Sequence, residues 1–125
     1  MREVIHTDLA PKAVGPYSQA IMTKDMIYTS GQIPIDPIAG KIVAETIEEQ
    51  TEQVMQNLKA VLATASVGMD RVVKTTCYLA DIADFAAFNG VYAKYFPENP
   101  PARSCFQVAA LPMGAKIEVE VIAVR

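Results

Sequence analysis

The stretch KIEVEVIAV, residues 116–124, has the pattern of a β-strand with two unlike sides. Side chains alternate across a strand with a period of two. One side is entirely apolar and comprises Ile117, Val119, Val121 and Ala123. The other side is half carboxylate and half aliphatic and comprises Glu118, Glu120, Ile122 and Val124. The second side is too apolar for open solvent and too charged for a dry core, so it suits a subunit interface that contains a polar pocket. We expect a homo-oligomer.

A first helix is predicted to begin at Thr46, because Thr46 and Glu49 form the T-x-x-E pattern of a capping box. Apolar residues then recur at helical spacing and form one stripe. The stripe comprises Val54, Leu58, Val61, Leu62 and Ala65. Gly68 is predicted to close this segment.

A second helix is predicted after Asp81, a residue type that caps helix N-termini. Its aromatic side chains are three or four residues apart and comprise Phe85, Phe88, Tyr92 and Tyr95. Pro97 prevents the helix from extending beyond Phe96.

Strand patterns surround these helices. Residues 20–30 predict a hairpin that turns at Lys24 and Asp25, whereas the segment PIDPIAGK that begins at Pro34 predicts a loop. The stretch VVKTTCYLA from Val72 predicts a strand, and ARSCFQVAA and KIEVEVIAV predict two more strands joined around LPMG. The order strands, helix, strand, helix, strands indicates an α+β fold, with two helices covering one face of a five- or six-stranded sheet. A length of 125 residues predicts a single domain, residues 1–125.

Composition disfavours several classes of protein. The net charge is −3, and the 11 lysines and arginines are scattered, so the basic stripe of a nucleic-acid-binding protein is missing. MREVIHTDLA has no signal-peptide core, and no apolar run reaches a membrane span, so we expect a soluble protein that is not exported.

Cys77 and Cys105 lie within predicted strands, which favours free thiols in the cytoplasm. His6, the only histidine, is expected in an N-terminal strand and has no neighbours at metal-ligand spacing, and no phosphate-binding glycine loop occurs, so neither metal nor nucleotide cofactor is expected.

Six motifs together resemble the RidA (YjgF/YER057c/UK114) family. They are GPYSQA, YTSGQIP, QTEQVMQNLKAVL, FNGVYAKYF, PPARSC and KIEVEVIAV, and they run through nearly the whole chain. The resemblance implies a homotrimer of chorismate-mutase-like (bacillus-type) α+β subunits, each with one mixed β-sheet of about six strands and two helices on one face. It also implies a cofactor-free hydrolase that deaminates enamines and imines such as 2-aminoacrylate or 2-aminocrotonate to 2-keto acids and ammonia, in clefts between neighbouring subunits.

Arg103 is the candidate anchor for the substrate carboxylate, because a planar guanidinium can donate two parallel hydrogen bonds to a carboxylate. Taken alone, Arg103 would fit a surface ion pair better. The surrounding PPARSC motif reverses that choice, and the resemblance implies the anchor role.

Hydrolysis of an imine needs a placed water and a proton for the departing nitrogen. The resemblance assigns water binding to Glu118, although strand spacing alone fits an ordinary exposed glutamate, and Glu120 is interpreted as structural. Tyr17 is a candidate pocket wall and hydrogen-bond partner, or equally a tyrosine packed at a corner.

The remaining candidates would contact substrate. Ser30 and Gly31 lie where a strand ends, where a backbone N–H can reach a ligand oxygen. Asn89 could line the same cleft or only bond locally. Cys105 is interpreted as pocket wall, because a buried thiol usually packs as a small hydrophobe and no histidine neighbours it.

One departure from the family pattern puts substrate choice in question. Where the family shows roughly VEVARLP, this chain reads FQVAALP, so Gln107 and Ala110 replace an acidic and a basic residue. The loss would change the side chain that the pocket accepts, or else weaken a surface ion pair.

Three functions remain open from the sequence. An imine deaminase is favoured, because both Arg103 and Glu118 are present. A ligand-sensing or regulatory protein would need the same carboxylate pocket but not Glu118. A ribonuclease or translation inhibitor is disfavoured by the acidic balance and by the single histidine.

Overall fold

The computed structural model describes all 125 residues, Met1–Arg125. The strands are β1 (Glu3–Ile5), β2 (Ala20–Met22), β3 (Met26–Thr29), β4 (Ile35–Asp36), β5 (Lys41–Ile42), β6 (Val72–Leu79), β7 (Ala102–Gln107) and β8 (Ile117–Val124). The helices are α1 (Ile47–Thr64) and α2 (Phe85–Tyr95). Six strands form one mixed sheet in the order β1-β2-β3-β8-β6-β7, in which only β6 and β7 run parallel. The predicted α+β fold is confirmed.

Strand β8 lies in the middle of the sheet, and its purely apolar side forms the floor of the core. Ile117, Val119 and Ala123 are fully buried there. Helix α1 packs on this face with the apolar stripe predicted from the sequence, and α2 adds Phe88 and Tyr92. Burial of this continuous apolar surface is the main force that holds the two layers together.

Helix α1 begins as predicted and ends differently. Thr46 accepts a hydrogen bond from the Glu49 amide, and the Glu49 side chain reaches back to the Thr46 amide, which completes the capping box. The helix ends before Gly68, because Ser66 turns the chain in the left-handed region at φ 60°. Val67 then donates its amide to the Leu62 carbonyl, as in a Schellman motif.

Three local predictions need correction. The predicted loop PIDPIAGK contains a short hairpin of β4 and β5, which reverses at Gly40 with φ 72°. Asp81 caps a 3-10 turn that leads into α2 rather than α2 itself, since it accepts from the Ala83 amide. His6 follows β1 instead of lying in it, and its imidazole is exposed beside Asp8.

The sheet face opposite the helices has no cover within one chain. Tyr28 and Phe106 are 45% and 46% exposed on it. Phe106 packs edge-on against Tyr78, whose hydroxyl donates to the Glu120 carboxylate. Glu118 lies on the same face, so the open face is the mixed apolar and acidic surface that the alternation in β8 predicts.

Neither helix has the length and apolar character needed to cross a membrane. This agrees with α1, which is polar on the side facing away from the core.

Candidate active site in two halves

Arg103 lies on β7 and is held firmly by α2. Its Nη1 donates a 2.7 Å hydrogen bond to Oδ1 of Asn89. The guanidinium carbon lies 4.8 Å from the ring centre of Tyr92, and 5.4 and 5.6 Å from those of Phe85 and Phe88. These ring faces attract the cation and restrict its rotation. Most of the guanidinium donors remain available for a carboxylate.

This arrangement follows from the spacing of the aromatic residues. Phe85, Phe88 and Tyr92 lie on one side of α2, because residues three or four apart share a helix face. The Tyr92 hydroxyl is hydrogen-bonded to Thr75 in the core at 2.8 Å, which fixes the ring. The sequence predicts this stripe, but its contact with Arg103 emerges only in the fold.

Cys105 lies two residues after Arg103 and therefore on the same side of β7. Burial raises the pKa of its thiol, and the nearby Arg103 charge only partly offsets that effect. The neighbouring Cys77 is fully buried and has its pKa raised to about 12 by the same cause. Both thiols are free and stay protonated at neutral pH, which supports a wall role for Cys105 rather than a nucleophilic one.

We call Arg103, Asn89 and Cys105 the arginine half-site. A groove of about 380 Å³ adjoins it, and its lining includes Asn89 and Arg103.

A second groove, of about 310 Å³, contains the other predicted residues. Its lining includes Lys12, Tyr17, Ser30, Gly31, Pro112 and Glu118. We call Tyr17, Ser30, Gly31 and Glu118 the glutamate half-site.

The backbone bridge between Gln32 and Val119 brings Gly31 against Glu118. Gln32 donates to the Val119 carbonyl at 2.9 Å and Val119 returns a bond of 3.1 Å. A Cβ atom at Gly31 would lie 2.8 Å from the carboxyl carbon of Glu118. Glycine is therefore required here by close approach, because any side chain would displace the carboxylate.

The loop that carries Tyr17 is fastened by the buried side chain of Gln19. Its oxygen accepts from the Thr7 amide at 2.7 Å, and its nitrogen donates to the carbonyls of Thr7 and Pro11 at 3.0 and 2.8 Å. The Tyr17 hydroxyl accepts a 3.3 Å bond from the Val14 amide and the residue remains 46% exposed. Ser30 uses its hydroxyl to donate to the Ser18 carbonyl at 2.6 Å. Local bonds thus place both residues at the groove.

The pKa of Glu118 is raised from its ordinary value of 4.5, first by burial and second by the like charge of Glu120. The pKa of Glu118 is therefore closer to neutral pH than that of a surface glutamate, and this carboxyl group exchanges protons more readily at neutral pH. Perturbed carboxyl groups in grooves are frequent at functional sites.

The two half-sites lie on opposite faces of the sheet. Arg103 is in register with Thr75, which is buried under the helices. Glu118 is in register with Tyr78 on the open face. Within one chain Arg103 and Glu118 therefore cannot reach the same small substrate.

Comparison with known proteins identifies the family. A family model described as Endoribonuclease L-PSP matches residues 7–125. The chain belongs to the RidA family. The RidA relatives include Reactive Intermediate Deaminase A, chloroplastic, of Arabidopsis thaliana, which is 52% identical over 122 residues. Those residues are 98% of this chain and 65% of the Arabidopsis protein, so the chain spans just under two thirds of that relative.

Two further RidA relatives match over nearly their full length. The 2-iminobutanoate/2-iminopropanoate deaminase of Homo sapiens is 46% identical over 125 residues, which are 100% of this chain and 91% of the human protein. The chain in the crystal structure of E. coli TdcF with bound serine is 40% identical in sequence, and the match covers 98% of this chain and 98% of that chain with a TM-score of 0.94. The predicted membership of the RidA family is confirmed.

Sequence reasoning on this RidA chain missed Lys12, which lines the glutamate half-site. Its position five residues before Tyr17 in the same loop is the only signal that could have suggested it.

Gln107 and Ala110 line neither groove. Gln107 instead accepts a 2.9 Å bond from the Ile82 amide and ties β7 to the turn before α2. No group of three His, Cys, Asp or Glu side chains is placed to hold a metal ion.

Proposed function

We propose that this protein is a cofactor-independent hydrolase that deaminates 2-imino acids and their enamine tautomers to 2-keto acids and ammonia. Its relatives at 52% and 46% identity carry deaminase names, and the second names 2-iminobutanoate and 2-iminopropanoate. The observation that supports the proposal is the division of the candidate site: one half presents the Arg103 guanidinium, which suits a carboxylate, and the other presents the Glu118 carboxyl group, whose raised pKa suits proton exchange with water.

The active protein is proposed to be a homotrimer in which the arginine half-site of one subunit meets the glutamate half-site of the next. Two observations support this assembly. Each half lacks the group that the other supplies, and the open sheet face exposes Tyr28 and Phe106, which need a partner surface. With two free thiols, the protein is proposed to work in the cytoplasm.

Arg103 would grip the substrate carboxylate and orient the C=N bond. Asn89 occupies one guanidinium donor and fixes the plane of the group, while the aromatic rings prevent it from swinging. A fixed guanidinium loses little freedom on binding, which favours a single substrate orientation. Cys105 would form one wall of the pocket, and Tyr17 of the next subunit would form another.

Glu118 of the next subunit would hold the attacking water and move its proton. Water adds to the imine carbon as Glu118 takes one of its protons and passes that proton to the imine nitrogen, which gives a neutral carbinolamine. Glu118 then takes the hydroxyl proton as the C=O bond forms and passes it to the nitrogen as the C–N bond breaks, so ammonia leaves and Glu118 is regenerated. One imine and one water thus give one 2-keto acid and one ammonia.

The test couples the protein to a pyridoxal-phosphate serine or threonine dehydratase and follows keto-acid release. The wild type should accelerate release, and Arg103→Ala and Glu118→Ala should each lose about 100-fold or more of that activity while keeping the wild-type oligomeric state. Absence of acceleration by the wild type across several amino acids would overturn the proposal.

The Glu118→Ala result also separates the deaminase from a ligand-sensing protein. A sensor would keep its affinity for a 2-keto acid in this variant, and it would show no turnover in the wild type. A ribonuclease has less support here, because the single histidine, His6, is paired with Asp8 at 3.3 Å and lines neither groove.

A further inference from the structure

We propose that the groove beside Arg103 binds the substrate side chain and selects 2-imino acids with extended apolar side chains over the two- and three-carbon imines. This inference rests on the proposed deaminase function and deepens it. It names a side-chain class and assigns Ala93 as a residue that determines specificity.

The groove is built by one chain alone. Beside Arg103 it is lined by Asn89, Tyr92, Ala93, Phe96, Pro100 and Pro101. These residues belong to α2 and to the segment that leads from α2 into β7. The groove therefore adjoins the proposed carboxylate anchor directly.

Two of the polar atoms in this lining already have partners, and the remaining Arg103 donors would take the substrate carboxylate. Oδ1 of Asn89 accepts from Arg103, and the Tyr92 hydroxyl is bonded to Thr75. No carboxylate or ammonium group lines the groove. Away from Arg103 and the Asn89 amide nitrogen, a polar or charged side chain would lose water without gaining a partner, whereas an alkyl chain would gain contact.

The walls are rigid. Tyr92 and Phe96 pack ring against ring with centres 4.9 Å apart. Pro100 and Pro101 have fixed φ angles, so their segment has little freedom to move. A groove of about 380 Å³ that is already formed does not need to be ordered by the ligand. The methyl group of a three-carbon imine would leave most of it empty.

Each methylene that enters the groove should strengthen binding by about fourfold, the ratio that corresponds to about 0.8 kcal/mol of apolar burial. The effect should accumulate along an unbranched chain until the groove is full.

The experiment measures calorimetric affinity for four product keto acids: pyruvate, 2-oxobutanoate, 2-oxopentanoate and 2-oxohexanoate. It also measures kcat/KM for the matching imines, generated from the amino acids by an amino-acid oxidase. In the wild type both quantities should rise about fourfold per methylene.

Ala93→Leu should flatten this dependence, because leucine occupies the volume of the groove that the longer substrate side chains would otherwise enter. Ala93 is exposed on a helix, and leucine is a good helix former, so the variant should fold. Ala63→Leu is the matched control: the same change at an exposed position of α1 that lines neither groove. It should keep the wild-type dependence.

The outcomes separate this inference from the proposed function. Turnover without a dependence on chain length, or a dependence that Ala93→Leu leaves intact, would overturn the groove inference alone. A steep dependence of affinity without any turnover would overturn the deaminase and leave a binding site for apolar carboxylates. Neither binding nor turnover would overturn both.

Discussion

The raised pKa of Glu118 suits proton transfer but lowers the stability of the fold. Its pKa is raised because burial and Glu120 both disfavour the ionised form. A raised pKa in the folded chain means that ionisation destabilises the fold. The penalty is absent below the pKa of the unfolded chain and is fully present above the pKa of the folded chain.

We therefore predict that Glu118→Gln raises the thermal midpoint of unfolding at pH 7 while it lowers kcat/KM by about 100-fold or more. At pH 3, where both side chains are neutral, the difference in midpoint should vanish. Wild-type activity should fall on the acid side through a pKa above that of an ordinary glutamate. Thermal melts at the two pH values and a pH profile of kcat/KM measure these effects.

Glu120→Gln is the matched control on the same strand and face. It keeps an acceptor for the Tyr78 hydroxyl and removes the charge that raises the Glu118 pKa. Activity near pH 7 should persist and the acid limb should move to lower pH. Equal loss of activity in both glutamine variants would contradict the specific role of Glu118.

Sequence reasoning at this scale predicted candidate site residues but not their grouping into two half-sites. Alternation within β7 places Arg103 and Cys105 on one side, and alternation within β8 places Glu118 and Glu120 together. Which side of β7 matches which side of β8 depends on the register of both strands with β6. Register is set by packing over the whole sheet, so no local pattern contains it.

At the scale of elements, signals carried by neighbouring residues were reliable. The capping box at Thr46 and Glu49 was predicted correctly because both partners of each bond lie within one turn. The end of α1 was misplaced at Gly68 because glycine is the usual residue for a left-handed turn, and here Ser66 adopts that conformation.

This misplacement yields a prediction for Ser66→Gly. Glycine adopts the left-handed region without the steric cost that a Cβ atom imposes, so the free energy of unfolding should rise by about 0.5–1 kcal/mol. Chemical denaturation at one fixed protein concentration measures the change. Ser66→Ala keeps the Cβ atom and should give no gain; a gain of equal size in both variants would show that the backbone argument is wrong.

At the scale of the whole molecule, the open sheet face explains the mixed pattern of β8. Tyr28, Phe106 and the two glutamates form a surface that one chain leaves uncovered. The sequence predicted the contribution of β8 to this face, because period-two alternation is local, but it did not place Tyr28 or Phe106 there. The position of each half-site relative to a neighbouring chain is not encoded in any single stretch.

Subunit complementation tests most directly whether the two half-sites act together across chains. Arg103→Ala and Glu118→Ala subunits are unfolded, mixed in equal amounts and refolded, and native mass spectrometry verifies mixed oligomers. Each interface of a cyclic assembly takes one residue from each neighbour, so about one quarter of the sites should be intact and about one quarter of wild-type deaminase activity should return. If mixed oligomers form and no activity returns, the site does not combine Arg103 and Glu118 from neighbouring chains, and the account is wrong.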